Sequence, residues 1–432
     1  MRKALVLALA ALAMVPGVAA AQEPPRAAAP AEKTPLEARA DQVVALLNGK
    51  LEPEAIFTDG FRAAVADTQL KTLAANLTAQ FGRAVDVALL APREGTRAAL
   101  EIRFERGLAK GGIAIDPAAG GRISELRFTS VDALAVAGDT PEAIAAELAA
   151  LPGTVNAWFG PLGGAPVIAR NPDTPLALGS AFKLYVLAAL ADDVKAGRRK
   201  WSDVAVLTEK SYPSGQLQDW PEGAPVTLHT LASLMIAISD NTATDQLIAV
   251  LDRKRILKLM RDSGHADPGA NDPFLSTREL FMLKADPALA ERWQSGDRAA
   301  RIAAQNEVAA RANLPLDEVN AAFGNGPRAL AVEWFASPAD LARLFAHMRR
   351  TADPAAFAIL GINPSATDAI KANWRSIGYK GGSEPGVINL TWLLTDKAGR
   401  DWMLTLGWNN PDAVVDEGKF LALAQRILLL PR

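Results

Sequence analysis

The pattern of apolar and polar positions in the N-terminal third of the chain predicts helices followed by strands. Helical periodicity covers residues 35–48 and 68–81. Four strand-like runs follow, "AVDVALLA", "RAALEIRFERG", "GGIAIDP" and "RISELRFTSV". In the second run every other residue from Ala98 to Phe104 is apolar, which is the period of a strand with one buried face. This order predicts a small α+β domain over residues 35–138, with a curved antiparallel sheet.

The stretch "VAGDTPEAIAAELAALPG" predicts a connecting helix over residues 139–153. Either Asp139 or Thr140 can cap its start, and Pro141 suits its first position. Gly153 follows its end. We place the boundary between two domains within this stretch.

Residues 154–432 show a different order of elements. "VNAWFGPLG" and "APVIAR" read as a hairpin, and helical patterns then continue to about residue 350. "RSIGYKGGSEPGVINLTWLLTDKAGRDWMLTLGW" predicts three strands with a turn at Lys397–Gly399, and a helix at 415–429 closes the chain. Strands from both ends with helices between them predict a second α+β domain, in which helices pack on one antiparallel sheet.

The first residues predict a secretory signal. They have a basic start, an apolar stretch broken at Pro16, and small residues before Gln22. A membrane anchor is the alternative, but the apolar stretch is short and ends in helix breakers. We therefore expect cleavage of residues 1–21, a Pro- and Ala-rich disordered leader over 22–34, and a periplasmic or secreted protein.

Composition narrows the class of protein. A chain of 432 residues, half of them apolar, predicts two folded domains, and a net charge of -2 gives no electrostatic reason to expect nucleic acid as a partner. The absence of cysteine excludes disulfides and thiol catalysis. His229, His265 and His347 lack metal-ligand spacing and are far apart, so we expect no metal, no other cofactor and no Ser-His-Asp triad.

The first chemistry-bearing stretch is "ALGSAFKLYVLAALADD". Ser180 lies where a predicted helix begins, and Lys183 follows three residues later on the same helix face. The neighbours of Lys183 are apolar or aromatic, so its pKa should fall and its neutral amine can serve as a base for the serine. The alternative is a capping serine beside a lysine whose head reaches solvent.

Two further stretches accompany this pair. Ser239, Asp240 and Asn241 interrupt an apolar helical pattern about sixty residues after Ser180. Such a triplet alone is most often a capped turn. The glycine-flanked lysine of "YKGGSEPG", Lys380, lies in a predicted strand. Together and in this order, the three stretches are a much stronger signal than any one of them.

These motifs resemble those of class A β-lactamases and penicillin-binding proteins, which are S-x-x-K, S-D-N and K-[ST]-G. The order of elements in the N-terminal domain resembles the steroid-isomerase-like or cystatin-like fold. The whole arrangement resembles a two-domain branch known from the clavulanic acid gene cluster. The resemblance implies a β-lactamase-like domain and a serine hydrolase that acts on a small-molecule β-lactam or a related amide or ester.

The resemblance also implies roles for individual residues. Ser180 would be the acylated nucleophile and Lys183 its base. Ser239 would relay the proton to the leaving nitrogen. Asn241 would hold Lys183 and the substrate amide, whereas Asp240 would cap the local backbone.

Substrate binding falls to the third motif. By the same resemblance, Lys380 would supply positive charge for the substrate carboxylate, beside Gly382. The backbone N–H groups of Ser180 and Ser383 would form the oxyanion hole.

Two departures from the family pattern stand out. The third motif reads Lys380-Gly381-Gly382, so the usual hydroxyl residue is missing, and Ser383 is the candidate to replace it. No R-x-x-E-x-x-L-N pattern follows the S-D-N triplet. Glu279 and Glu333 are candidates for the deacylation base by position alone, and the alternative is that each is a capping or helix-surface acid. We therefore expect slow deacylation.

A charged helical stretch at 285–325 lengthens the segment between the second and third motifs. It is expected either to shape the rim of the pocket or to decorate the surface. Two rival functions remain open: a penicillin-binding peptidase or esterase with little β-lactam turnover, and a ligand-binding protein without chemistry. The intact set of Ser180, Lys183, Ser239 and Asn241 argues against the second rival.

Overall fold

The structure, a computed structural model, describes residues 33–135, 138–324 and 326–431. The predicted signal at 1–21, and the predicted leader up to residue 32, lie outside the described residues. Within the described ranges, no helix has the length and apolar character needed to cross a membrane.

The N-terminal region consists of helices followed by a four-stranded antiparallel meander in the order β1-β2-β3-β4. Its elements are α1 (Pro35–Leu47), α2 (Pro53–Ile56), α3 (Asp59–Ala64), α4 (Asp67–Phe81), β1 (Ala84–Glu94), β2 (Arg97–Phe104), β3 (Gly107–Asp116) and β4 (Arg122–Ala133). The predicted helices, strands and antiparallel sheet are therefore confirmed. A steroid-isomerase-like identity for this region stays a prediction.

Local sequence accounts for these elements. Thr34 caps α1, and Glu37 completes a capping box at its start. In β2 the alternating apolar residues from Ala98 to Phe104 are buried as predicted, and they pack against Val43 of α1. The region thus has an apolar core of its own.

A five-stranded antiparallel sheet in the order β11-β12-β13-β5-β6 organises the C-terminal region. Its strands are β5 (Thr154–Pro161), β6 (Ile168–Arg170), β11 (Ser376–Glu384), β12 (Val387–Thr395) and β13 (Asp401–Asn409); the short strands are β7 (Leu176–Ala177), β8 (Val204–Val206), β9 (Pro225–Thr227) and β10 (Phe335–Ala336). The predicted hairpin and the three late strands are confirmed, since strands from both ends of the region share one sheet.

Helices cover both faces of this sheet. They are α5 (Pro141–Ala149), α6 (Lys183–Lys195), α7 (Leu228–Ala237), α8 (Asn241–Leu251), α9 (Arg253–Asp262), α10 (Thr277–Ala285), α11 (Pro287–Ser295), α12 (Arg298–Ala309), α13 (Leu316–Phe323), α14 (Pro338–Thr351), α15 (Ala355–Leu360), α16 (Asp368–Asn373) and α17 (Glu417–Leu429). One apolar core gathers α6 to α10 and α14 on the inner face, and a second gathers α5, α16 and α17 on the outer face. Strand β11 is left as an edge of the sheet.

Helix α17 joins the two regions. The Oε1 atom of Gln425 accepts a hydrogen bond of 2.8 Å from the backbone N–H of Ala133, and Ala422 belongs to the N-terminal core. Arg426 pairs with Asp139. Of the two predicted caps for α5, Thr140 is the one observed. The exact boundary between the two domains stays a prediction.

Candidate active site

Ser180 lies in a single turn of 3-10 helix, Gly179–Phe182, that leads directly into α6. Lys183 is the first residue of α6, so the predicted helix start is found within one turn of Ser180. Gly179 has a φ of +49°, a conformation that glycine adopts without strain. This conformation of the turn places Ser180 in the lining of the candidate cavity.

The side chain of Lys183 is completely buried beneath this turn. Its Nζ donates to Ser239 O at 2.7 Å, to Ser239 Oγ at 3.0 Å and to Asn241 Oδ1 at 2.8 Å. Burial lowers the pKa of Lys183 well below its usual value, and the positive charge of Lys380 lowers it further. The structure thus brings Lys183 together with two residues of the S-D-N triplet.

The triplet forms a tight turn between α7 and α8. Ser239 has a φ of +58°, which is rare for a residue with a side chain, and this turns its hydroxyl toward Lys183. Asp240 caps α8 through the Ala243 N–H at 2.8 Å and also accepts from the Gln216 N–H at 2.7 Å. Asp240 therefore has the backbone-capping position expected of it, and Asn241 begins α8.

Lys380 approaches the same point from the edge strand. Its Nζ donates to Ser239 Oγ at 3.1 Å and to Gly381 O at 2.5 Å, and its side chain is buried. Burial lowers the pKa of Lys380 to about 7. Ser239 Oγ consequently lies between two lysine amines whose pKa values are both depressed.

The strand β11 packs so closely against the Ser180 turn that position 382 has no room for a side chain. A Cβ atom at this position would lie 2.2 Å from the backbone nitrogen of Ser180 and 2.3 Å from Leu178 O. A Cβ on Gly179 would lie 3.1 Å from the backbone nitrogen of Ser383. Glycine at position 382 permits this close approach of β11 to the turn that carries Ser180. The oxyanion hole of Ser180 and Ser383 stays a prediction.

Tyr379 lies beside Gly381, the position at which the third motif lacks its usual hydroxyl residue. A Cβ atom on Gly381 would lie 2.1 Å from Tyr379 Oη and 2.8 Å from Tyr379 Cζ. The tyrosine hydroxyl therefore occupies space next to Gly381 that a Ser or Thr side chain would need. Sequence reasoning proposed Ser383 as the replacement and missed Tyr379. The available signal was an aromatic residue two positions before a glycine in a strand, because such residues share a face.

The cavity has a volume of about 580 Å³. Six of the predicted site residues line it, namely Ser180, Ser239, Asn241, Lys380, Gly382 and Ser383. Lys183 lies behind this wall. Phe281 also lines the cavity, and its ring packs edge-on against Phe323 of α13 with the centroids 5.1 Å apart. The inserted stretch at 285–325 thus contacts one lining residue through α13, although none of its described residues lines the cavity. A role for this stretch in shaping the rim stays a prediction.

Neither Glu279 nor Glu333 is among the described residues that line the cavity. Glu279 forms a capping box with Ser276, and Arg253 donates to its two oxygens at 2.6 and 2.9 Å. Glu333 lies 3.4 Å from the buried amine of Lys284. Both acids are buried and are engaged in ion pairs, and the partner of Glu279, Arg253, is partly exposed. For Glu279 the capping alternative is the one observed.

The three histidines lie apart from this cavity. His265 Nε2 is 3.0 Å from Phe335 O, His347 Nε2 is 2.9 Å from Asp192, and His229 packs on Trp201. In the part of the chain that the structure describes, no group of histidine and acidic side chains has the arrangement of a metal site.

Residues 140–389 match the model of a family described as "Beta-lactamase enzyme family". No curated protein matches the chain. Among solved structures, a β-lactamase from Sphaerobacter thermophilus DSM 20745 is 23% identical, with 66% of this chain and 93% of that chain covered and a TM-score of 0.47. A structure of PBP-A is 18% identical, with coverages of 67% and 94% and a TM-score of 0.46. A β-lactamase from Desulfarculus baarsii DSM 2075 is 18% identical, with coverages of 68% and 98% and a TM-score of 0.44.

Proposed function

The chain belongs to the β-lactamase enzyme family, and we propose that it is an exported serine hydrolase that forms an acyl-enzyme at Ser180. Its substrate is a β-lactam or a related amide or ester that carries a carboxylate. Among the observations that support this activity, one carries it: a fully buried lysine amine, Lys183, hydrogen-bonded to Ser239 and Asn241 behind a cavity that Ser180 lines.

Burial lowers the pKa of Lys183 well below its usual value, and in its neutral form this amine can act as a base. Two of the neighbours of Lys183 are carbonyl oxygens, Ser239 O and Asn241 Oδ1, which can only accept. In the neutral form they take its two hydrogens, so the contact with Ser239 Oγ at 3.0 Å then receives no hydrogen from the amine. The nitrogen lone pair is then left for a hydroxyl proton. In the proposed first step this lone pair removes the proton of Ser180 as its Oγ attacks the substrate carbonyl carbon.

The negative oxygen that forms in this step is held by the backbone N–H groups of Ser180 and Ser383. Collapse of the tetrahedral intermediate breaks the bond to the leaving nitrogen or oxygen. Ser239 Oγ gives that atom its proton and takes one from the Lys183 ammonium, which restores the neutral amine. Lys380, when protonated, binds the substrate carboxylate in the part of the cavity next to Ser239.

Hydrolysis of the acyl-enzyme is the proposed slow step. Among the described residues that line the cavity, Glu417 is the one carboxylate, and it belongs to α17 on the outer face of the sheet rather than to the helices around Ser180. Water attack at the ester must therefore rely on the Lys183 amine. This arrangement equally supports the second candidate, a penicillin-binding peptidase or esterase with little β-lactam turnover.

Stopped-flow hydrolysis of a chromogenic cephalosporin tests the proposal. We expect a burst of about one equivalent per enzyme followed by a slow steady rate. Ser180→Ala should lose both phases, whereas Ser233→Ala, which removes a hydroxyl from α7 outside the cavity, should keep them. Hydrolysis by Ser180→Ala at the wild-type rate would refute the assignment of the nucleophile.

Export can be tested separately. Expression of the full chain in a Gram-negative host, followed by N-terminal sequencing of the periplasmic protein, should give a mature start near Gln22. Recovery of an uncleaved chain from the cytoplasm alone would contradict this part of the proposal.

A further inference from the structure

The candidate cavity extends past the edge of β11 onto the outer face of the sheet. Successive side chains of a strand point to opposite faces, so Lys380 and Gly382 face the helices around Ser180. Tyr379 and Gly381 face α17 instead. Because Gly381 has no side chain, the strand presents only backbone between Lys380 and the outer face. The cavity crosses the strand at Gly381, because its lining includes residues from both faces of the sheet.

Six residues form the outer part of the cavity, which we call the outer subsite: Ser365, Tyr379, Ile388, Leu390, Glu417 and Leu421. Leu390 is the cross-strand partner of Gly381, so it lies on the same face directly behind the gap. Leu421, half-buried, comes from the first turns of α17. Three of the six residues are therefore aliphatic.

The polar groups of the outer subsite are placed on this apolar lining. The Tyr379 hydroxyl has its pKa raised above the usual value by burial and, to a lesser degree, by the negative charge of Glu417; a hydrogen bond with Ser365 acts in the opposite direction. The carboxylate of Glu417 is thus near enough to influence this hydroxyl. Among the described lining residues, Lys380 is the one cation and Glu417 the one anion, and they lie on opposite sides of Gly381.

We propose that the outer subsite binds the substituent next to the substrate carboxylate and selects apolar or cationic substituents over anionic ones. This inference rests on the proposed function. With the carboxylate at Lys380, the adjacent substituent crosses Gly381 and contacts Leu390 and Leu421. A positive group at its end is attracted by Glu417, whereas a second negative group meets this carboxylate while Lys380, the one cation among the described lining residues, already holds the first carboxylate. Tyr379 Oη offers the hydrogen bond that the missing Ser or Thr would have offered.

Probe binding is measured on Ser180→Ala, which lacks the proposed nucleophile, so that this inference is tested separately from the proposed function. The probes are three cephalosporins with the same acyl side chain and the same carboxylate. They differ only at the 3-position, which carries a neutral aromatic, a pyridinium or a carboxylate-bearing group. Titration calorimetry on Ser180→Ala gives their affinities, and the double variant with Glu417→Gln gives the contribution of the charge. Asp368→Asn is the matched control, because it removes another exposed carboxylate from the first position of a helix outside the cavity.

We expect the pyridinium and aromatic probes to bind more tightly than the anionic probe. Glu417→Gln should reduce the affinity ratio of cationic to anionic probe by about three- to tenfold, and added salt should reduce it as well. Leu421→Ala should weaken the aromatic probe by about three- to tenfold. Asp368→Asn should change neither the ratio of cationic to anionic probe affinity nor the affinity for the aromatic probe.

Equal affinity for the three probes would overturn the inference, as would a ratio unchanged by Glu417→Gln. The proposed function has its own failure, which is the absence of any covalent adduct on the wild-type protein with all three probes. The two failures can be told apart, because the affinities are measured on Ser180→Ala and the covalent adduct is measured on the wild-type protein.

Discussion

The depressed pKa of Lys380 predicts a specific pH dependence for substrates that carry a carboxylate. Burial places this pKa at about 7, so the side chain is charged below that pH and neutral above it. The pKa of Lys183 is also lowered well below its usual value, and because this base acts on every acyl donor, its ionisation affects all donors alike. Loss of the Lys380 charge is therefore the event that weakens capture of an anionic substrate above neutral pH.

The size of the effect follows from the titration curve. With a pKa of about 7, the charged fraction of Lys380 falls from about nine-tenths at pH 6 to about 3% at pH 8.5, a loss of roughly thirtyfold. With the ordinary lysine pKa the loss over the same range would be only about 1%. Since kcat/KM reports the ionisation of the free enzyme, the fall should appear there and be weaker in kcat, where the bound carboxylate keeps the lysine charged.

The assay compares two acyl donors across this pH range, a β-lactam with a carboxylate and a neutral aryl ester. We expect kcat/KM for the β-lactam to fall about thirtyfold relative to kcat/KM for the ester. Lys380→Arg, whose guanidinium stays charged, should flatten the profile for the β-lactam. A ratio of the two kcat/KM values that stays level across this pH range in the wild-type protein would refute the role given to Lys380.

Three further changes have definite expected outcomes. Gly382→Ala places a Cβ 2.2 Å from the Ser180 nitrogen, so acylation should slow by about a hundredfold while far-UV circular dichroism stays unchanged; acylation at the wild-type rate would contradict the packing described. Glu279→Gln breaks the pair with Arg253 and should lower the free energy of unfolding by about 1–3 kcal/mol without changing the steady rate after the burst; the reverse result would make Glu279 the deacylation base. Removal of residues 22–135 uncovers Ala422 and should reduce solubility but not acylation, measured on the soluble fraction; a folded truncate that fails to acylate would show that the N-terminal region contributes to the site.

Much of the fold could be predicted from the sequence because its signals are local. Alternation in β2 and the Thr140-Pro141 start of α5 depend only on neighbouring residues. The three motifs indicated the site because each supplies a residue type with restricted chemistry at a recognisable turn, strand or helix start.

The remaining features depend on contacts between distant segments, which no local pattern specifies. Glu279 gave no local sign that Arg253 would pair with it. The position of Tyr379 Oη beside Gly381 depends on the direction of one side chain along β11. The start of α17 became a wall of the cavity only because this helix packs on the outer face of the sheet. Sequence reasoning treated α17 as the element that closes the chain, and so the outer subsite was missed.

Intact-protein mass spectrometry after incubation with a penicillin tests the central claim most directly. Because Ser180 attacks the lactam carbonyl and the ring opens without loss of atoms, the wild-type protein should gain the full mass of the penicillin. Peptide mapping should place this mass on the peptide that contains Ser180, and Ser180→Ala should gain none. An adduct that persists in Ser180→Ala, or one that maps to another residue, would contradict the account of the site.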